Sequence, residues 1–121
     1  MNIDWFQLIT RAMKDAATHA AQLAAAKAEL STKNTKALGQ ISRIQARIDT
    51  INFGIDIGEA TEEDEAEQSA LLINLKAWKA YKFALGKVTS QQTWYSAPVW
   101  PIEPAVPVIL ADPQGVSGDL I

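Results

Sequence analysis

Apolar positions recur along this chain with two different periods, and the change of period marks its architecture. Between Leu71 and Leu85, the residues Leu71, Leu75, Trp78, Tyr81 and Leu85 are spaced by three and four, which sets them on one stripe of a helix. Lys76, Lys79 and Lys82 fall to its flanks. Gly86 follows the last apolar position and can take positive φ, so the helix is expected to stop there. Upstream, Thr61 is an N-cap residue with Asp64 three positions on and further carboxylates in the first turn, so the helix is predicted over 61–86. After Gly86 the period becomes three. Pro98, Pro101, Pro104 and Pro107 would line one edge of a polyproline II rod within an extended arm and tail, residues 87–121. Such a rod has no internal hydrogen bonds and must dock, either on the protein's own helices or on a partner.

The N-terminal part, residues 1–53, is also helical in pattern. Asp4 caps it, Gln7 sits where a capping box closes, and Ile3 with Leu8 can staple the entry, so the helix starts at Trp5. No proline interrupts it before the turn at 54–60, where Gly54 and Gly58 let the chain reverse. Heptad phase holds throughout. Met13, Ala20, Lys27, Asn34, Ile41 and Ile48 fall at a, and Ala16, Leu23, Leu30, Ala37, Ile44 and Ile51 at d. One reading is therefore a long coiled coil that self-associates through Leu23, Leu30, Asn34, Ile41, Ile44, Ile48 and Ile51, with Asn34 setting register and the isoleucines favouring trimers. The other is a helical hairpin with Ser31–Thr35 as its loop, since these residues favour caps and turns. In a further alternative the isoleucines pack on the Trp78 and Tyr81 stripe. Every version is all-α.

Composition narrows the function. Much of the 48% hydrophobic content is alanine, which buries little area, so covering by another chain suits the N-terminal half. A net charge of −3 and a pI near 5.0 disfavour a nucleic-acid ligand. With no cysteine there is neither a disulfide frame nor a thiolate metal site. No signal-like N-terminus and no apolar run of bilayer length occur, so a soluble cytoplasmic protein without membrane contact is expected. Catalysis finds no foothold either. The single histidine, His19, lies in an alanine-rich helix, and neither a nucleophile elbow nor a phosphate loop is present. The acidic run Glu59–Glu67 lacks the alternating ligands and central glycine of a calcium loop. The chain reads as a non-enzyme with no cofactor and no metal.

The string Ala77-Trp78-Lys79-Ala80-Tyr81-Lys82-Phe83-Ala84-Leu85, then Val88, then Trp100-Pro101 and Pro104, resembles the C-terminal signature of phage tail fibre assembly proteins. Lys82 stands where arginine is usual, and Gly86 where a polar residue is. The resemblance covers the last third of the chain and implies a chaperone, acting in the bacterial host cytoplasm, that binds a tail fibre protein and helps it fold or trimerise. It further implies that Trp78, Tyr81, Lys82, Trp100, Pro101 and Pro104 carry the function, by touching the fibre or by building the surface that does. Trp94, beside Tyr95, is a further candidate contact, since exposed aromatics next to a rigid segment suit binding. In the alternative, Trp94 and Trp100 fold back on Trp78 and Tyr81. Rival functions are a coiled-coil subunit retained in the tail or baseplate, and a proline-motif adaptor. The adaptor is disfavoured because no basic residue flanks Pro98–Pro107 to orient it.

Overall fold

Nothing in the sequence stops the first helix, and it runs unbroken as α1 from Trp5 to Asp56, 52 residues and about 78 Å at the usual rise. A computed structural model describes residues 5–110; the Ile3 and Asp4 cap and the turn-rich Asp112–Asp119 segment lie outside them. The hairpin reading of Ser31–Thr35 is overturned. Thr32 turns its hydroxyl back to the Ala28 carbonyl at 3.0 Å, and Lys33 pairs with Glu29 one turn earlier, so residues that favour caps are absorbed into the helix. Packing decides this, because Leu30 and Ala37 on either side both face the interior.

The turn expected at 54–60 begins later, since α1 continues three residues past 53 and takes in Gly54. Its end is a Schellman motif. The Glu59 amide donates to the Gly54 carbonyl at 2.9 Å, the Gly58 amide donates to that of Ile55 at 3.1 Å, and Gly58 takes φ +74°. Helix α2 then runs from Glu62 to Leu85, opened by a full capping box in which Thr61 and Asp64 bond each other's backbone amides. It ends where expected but not by the expected means. Gly86 keeps right-handed angles, φ −67°, and the chain passes into a 3₁₀ turn at Val88–Ser90.

Helices α1 and α2 form an antiparallel hairpin. Arg47 meets Glu67 in a two-pronged pair at 2.8 and 2.9 Å, and Gln68 donates to Asn52 at 2.7 Å. This register sets Ile44 level with Leu71, Ala37 with Trp78, and Leu30 with Leu85. The core follows from it: Ile44, Ile48 and Ile51 close on the stripe Leu71, Leu75, Trp78, Tyr81 and Leu85, all buried. Each large apolar side chain so buried contributes about 1.5–3 kcal/mol. These isoleucines therefore serve the chain's own hairpin, and the trimer tendency drawn from them lapses.

Candidate interaction surface

The arm is built on this hairpin from its first clamp onward. After the 3₁₀ turn, the Gln91 side chain grips Val99 from both sides, its amide donating to the Val99 carbonyl and its carbonyl accepting from the Val99 amide, both at 2.8 Å. Between them the chain makes a tight turn in which Tyr95 takes left-handed angles, φ 59°, and lays its ring edge-on to His19 at 6.3 Å. A tyrosine in that region costs roughly 1 kcal/mol or more, so the turn is held by its neighbours.

From Ala97 the chain has neither helix nor strand and runs back along the hairpin, parallel to α1. Lys33 stands 5.3 Å over the Trp100 ring, Lys36 pairs with Glu103 at 3.1 Å, and Arg43 donates to the Pro107 carbonyl at 2.7 Å. From α2 the Trp78 indole donates to the Ala105 carbonyl at 3.1 Å. At the far end Ile109 plugs into the core. Pro98, Pro101, Pro104 and Pro107 are each half-buried, while the residues following each of them, Val99, Ile102, Ala105 and Val108, are exposed. That is the burial pattern of a rod with three residues per turn laid against a surface. Of the two possible docks, the rod takes the protein's own helices.

Four of the tryptophan and tyrosine rings meet in two pairs, and Trp100 also packs against the core cluster that contains Trp78 and Tyr81, as the fold-back alternative has it for that residue. Trp78 and Tyr81 meet edge to face at 5.5 Å in the core, and Trp94 meets Trp100 edge-on at 6.3 Å, both half-buried. Trp78 has no exposed surface, so it and Tyr81 support the arm from beneath, whereas Lys82, Trp94, Trp100, Pro101 and Pro104 retain exposed surface. Among the self-association candidates, Leu23, Leu30, Asn34 and Ile41 are half-buried and Ile44, Ile48 and Ile51 fully so.

No family model, curated protein or solved structure matches this chain. The surface is therefore described by its own chemistry.

That chemistry is apolar outside and polar in a few places beneath. The outer edge of the arm carries Val99, Ile102, Val106, Val108 and Leu110, with Ile102 93% exposed. The step of three that aligns the prolines also runs through Val99, Ile102 and Val108, so this edge is legible in the sequence as well. Gln91 and Arg43, which clamp the arm, gave no signal in sequence because any polar side chain can serve a distant carbonyl. Beneath the arm, the Tyr81 hydroxyl and the Asn34 side-chain oxygen are buried without a hydrogen-bond partner among the described residues, and the helix register puts them at one level. Burial, then the nearby Glu103 carboxylate, pushes the Tyr81 hydroxyl above its ordinary pKa, with Lys36 opposing. A shallow groove of about 500 Å³ opens beside Asn34, between Leu30, Leu38 and Trp94. Among the described residues no cluster of His, Asp or Glu is arranged to hold a metal ion, and no helix is long and apolar enough to cross a membrane.

Proposed function

We propose that this protein is a tail fibre assembly chaperone of a tailed phage, prophage or phage-tail-like particle, a non-enzymatic helical protein that holds a fibre chain in the host cytoplasm while it folds or trimerises. The observation that carries this reading is the convergence of the signature residues. Trp78 and Tyr81 on α2, and Trp100, Pro101 and Pro104 on the arm, are far apart in sequence yet belong to one unit, tied by the bond from Trp78 to Ala105. Residues shared with a binding family are more telling when they build one surface than when they scatter.

The surface itself supports the same reading. A rigid, pre-docked arm displaying Val99, Ile102 and Val108 loses little conformational entropy on binding, which favours capture of an apolar partner segment. In this scheme Trp78 and Tyr81 hold the arm, while Trp94, Trp100, Lys82 and the outer edge meet the fibre. Co-expression with the neighbouring fibre gene, followed by size-exclusion chromatography with light scattering, tests it. A fibre that is insoluble alone should co-elute with this protein as a soluble complex, and Trp100→Ala should abolish that complex while leaving the helical circular dichroism in place. Finished particles should lack the protein; stoichiometric retention would instead mark it as a permanent tail subunit.

A further inference from the structure

One layer of the core is polar. Tyr81, 3% exposed, lies between Trp78 and Leu85 on α2, and Asn34 lies across from it between Leu30 and Ala37 on α1. Ala37 is level with Trp78 and Leu30 with Leu85, so Tyr81 and Asn34 share the layer between them. Asn34 also holds an a position of the heptad frame, where a side chain faces the packing seam. Both polar atoms of this layer, the Tyr81 hydroxyl and the Asn34 Oδ1, are buried and without a hydrogen-bond partner among the described residues. Such atoms are costly to keep dry, and in folded proteins they are satisfied by protein groups or by ordered water. The two are complementary in kind. Burial, then the Glu103 carboxylate, raises the Tyr81 pKa with Lys36 opposing, so the hydroxyl stays protonated and can donate, while the Asn34 Oδ1 accepts. They do not bond each other directly. A group that joins them must accept from the first and donate to the second, and it must be small and uncharged to fit between apolar layers. Water meets these terms and has a way in, because Asn34 also lines the shallow groove with Ser31, Thr35 and Thr89. The groove side can supply the third hydrogen bond that a buried water usually makes.

We propose that Tyr81 and Asn34 bind one structural water between them, Tyr81 donating to it and the water donating to Asn34, and that this bridge pins the open end of the hairpin beneath the arm. Arg47 and Glu67 fix the register near the closed end, but toward the open end apolar packing alone discriminates little, since the heptad seam of α1 repeats. The bridge does discriminate. One heptad away Tyr81 would face Ile41 or Lys27, and neither side chain can accept a hydrogen bond. The arm closes over the same layer, because Glu103 and Lys36, the charges acting on the Tyr81 hydroxyl, are the ion pair that fastens the arm to α1. This gives Asn34 a role inside the chain, as the polar residue of the seam that fixes alignment, with Tyr81 as its partner through water.

The test uses the full chain purified alone, without fibre. A crystal structure that resolves ordered water should show one within hydrogen-bond distance of both the Tyr81 hydroxyl and the Asn34 side chain. Urea unfolding of Tyr81→Phe, Asn34→Leu and the double variant should then show a change of sign. With Asn34 in place, Tyr81→Phe removes one end of the bridge and should lower the folding equilibrium constant about fivefold or more. In the Asn34→Leu background the hydroxyl has no bridge to lose, so the same substitution should raise that constant, because it removes a buried group left unsatisfied. A dry layer would instead make Tyr81→Phe stabilising in both backgrounds, and a bond made directly between the two side chains would leave no water in the density. Either result, or effects of the two substitutions that simply add, overturns the proposal.

Discussion

The Trp78 indole N–H donates to the main-chain carbonyl of Ala105 across 3.1 Å, which ties the centre of α2 to the arm that returns over it. Trp78 thereby joins two roles, filling the core with its ring and holding the arm with its nitrogen. Trp78→Phe keeps most of the ring and loses the bond, so it should lower stability by about 1–3 kcal/mol, leaving the Ala105 carbonyl to find water. Trp78→Ala also opens a cavity and should cost about 3–5 kcal/mol. Urea midpoints of the two variants separate these contributions.

Arg47 and Glu67 fasten the hairpin near its closed end, and their pairing makes stability depend on acid. The Glu67 carboxyl is held below its ordinary 4.5, first by the hydrogen bonds from Arg47, and the Asp64 carboxyl is held below 3.8 by those from Thr61. Both groups bind their proton less readily when folded, so they stabilise fully above their unfolded pKa values. That stabilisation disappears as the pH falls through the lower folded ones. The Glu67 share should be about 1 kcal/mol, because both partners keep some contact with water. Urea denaturation at descending pH should show the loss, and Glu67→Gln should flatten it.

Ile109 anchors the far end of the arm with 1% of its surface exposed. Ile109→Ala should cost about 2 kcal/mol or more. Because the arm has no backbone ladder to hold it, the loss should appear first as local opening. Amide exchange or limited proteolysis should show residues 97–110 opening while α2 keeps its protection. Uniform loss across both helices would mean that the arm and the hairpin unfold as one unit.

Ile102 lies on the opposite side of the arm and supports nothing within the chain. Ile102→Glu should therefore change stability by no more than about 0.5 kcal/mol. If the outer edge meets the fibre, the same change should weaken capture about tenfold or more, since a carboxylate would be desolvated there. Unchanged co-elution of the fibre would remove this edge from the contact.

These substitutions fall on features of unequal legibility. The stripe from Leu71 to Leu85, the Thr61 cap and the proline edge were all readable, because each depends on a local period or a local bond. What covers the isoleucines was not. Periodicity shows that Ile44, Ile48 and Ile51 need a cover, but α2, a second chain or a fibre would each leave the same pattern. Ser31–Thr35 is readable either as a loop, because its residues favour caps, or as part of one continuous helix, and packing at Leu30 and Ala37 selects the helix. Gly86 ended the helix without using its conformational freedom, whereas Tyr95 took left-handed angles that no glycine announced. For the arm, the prolines showed that it must dock but not on what; the choice depends on Trp78, Arg43 and Lys36, which lie far away in sequence.

Gly39 and Gly58 allow the same substitution to be tried with opposite expected signs. Gly39 sits in the interior of α1, exposed, with open space where a Cβ would be. Alanine is the better helix former by about 1 kcal/mol, so Gly39→Ala should stabilise by roughly 0.5–1 kcal/mol. Gly58 also has open space around it, but its φ of +74° is the left-handed value that closes α1 through the Schellman motif. Alanine there should destabilise by about 1–2 kcal/mol through backbone strain alone. Since neither site offers a steric clash or a lost contact, the difference between the two melting shifts isolates backbone conformation. If Gly58→Ala proved neutral, the turn between the helices would have to close in some other way, and the register set by Arg47 and Glu67 would be maintained by the helices themselves rather than by their connection.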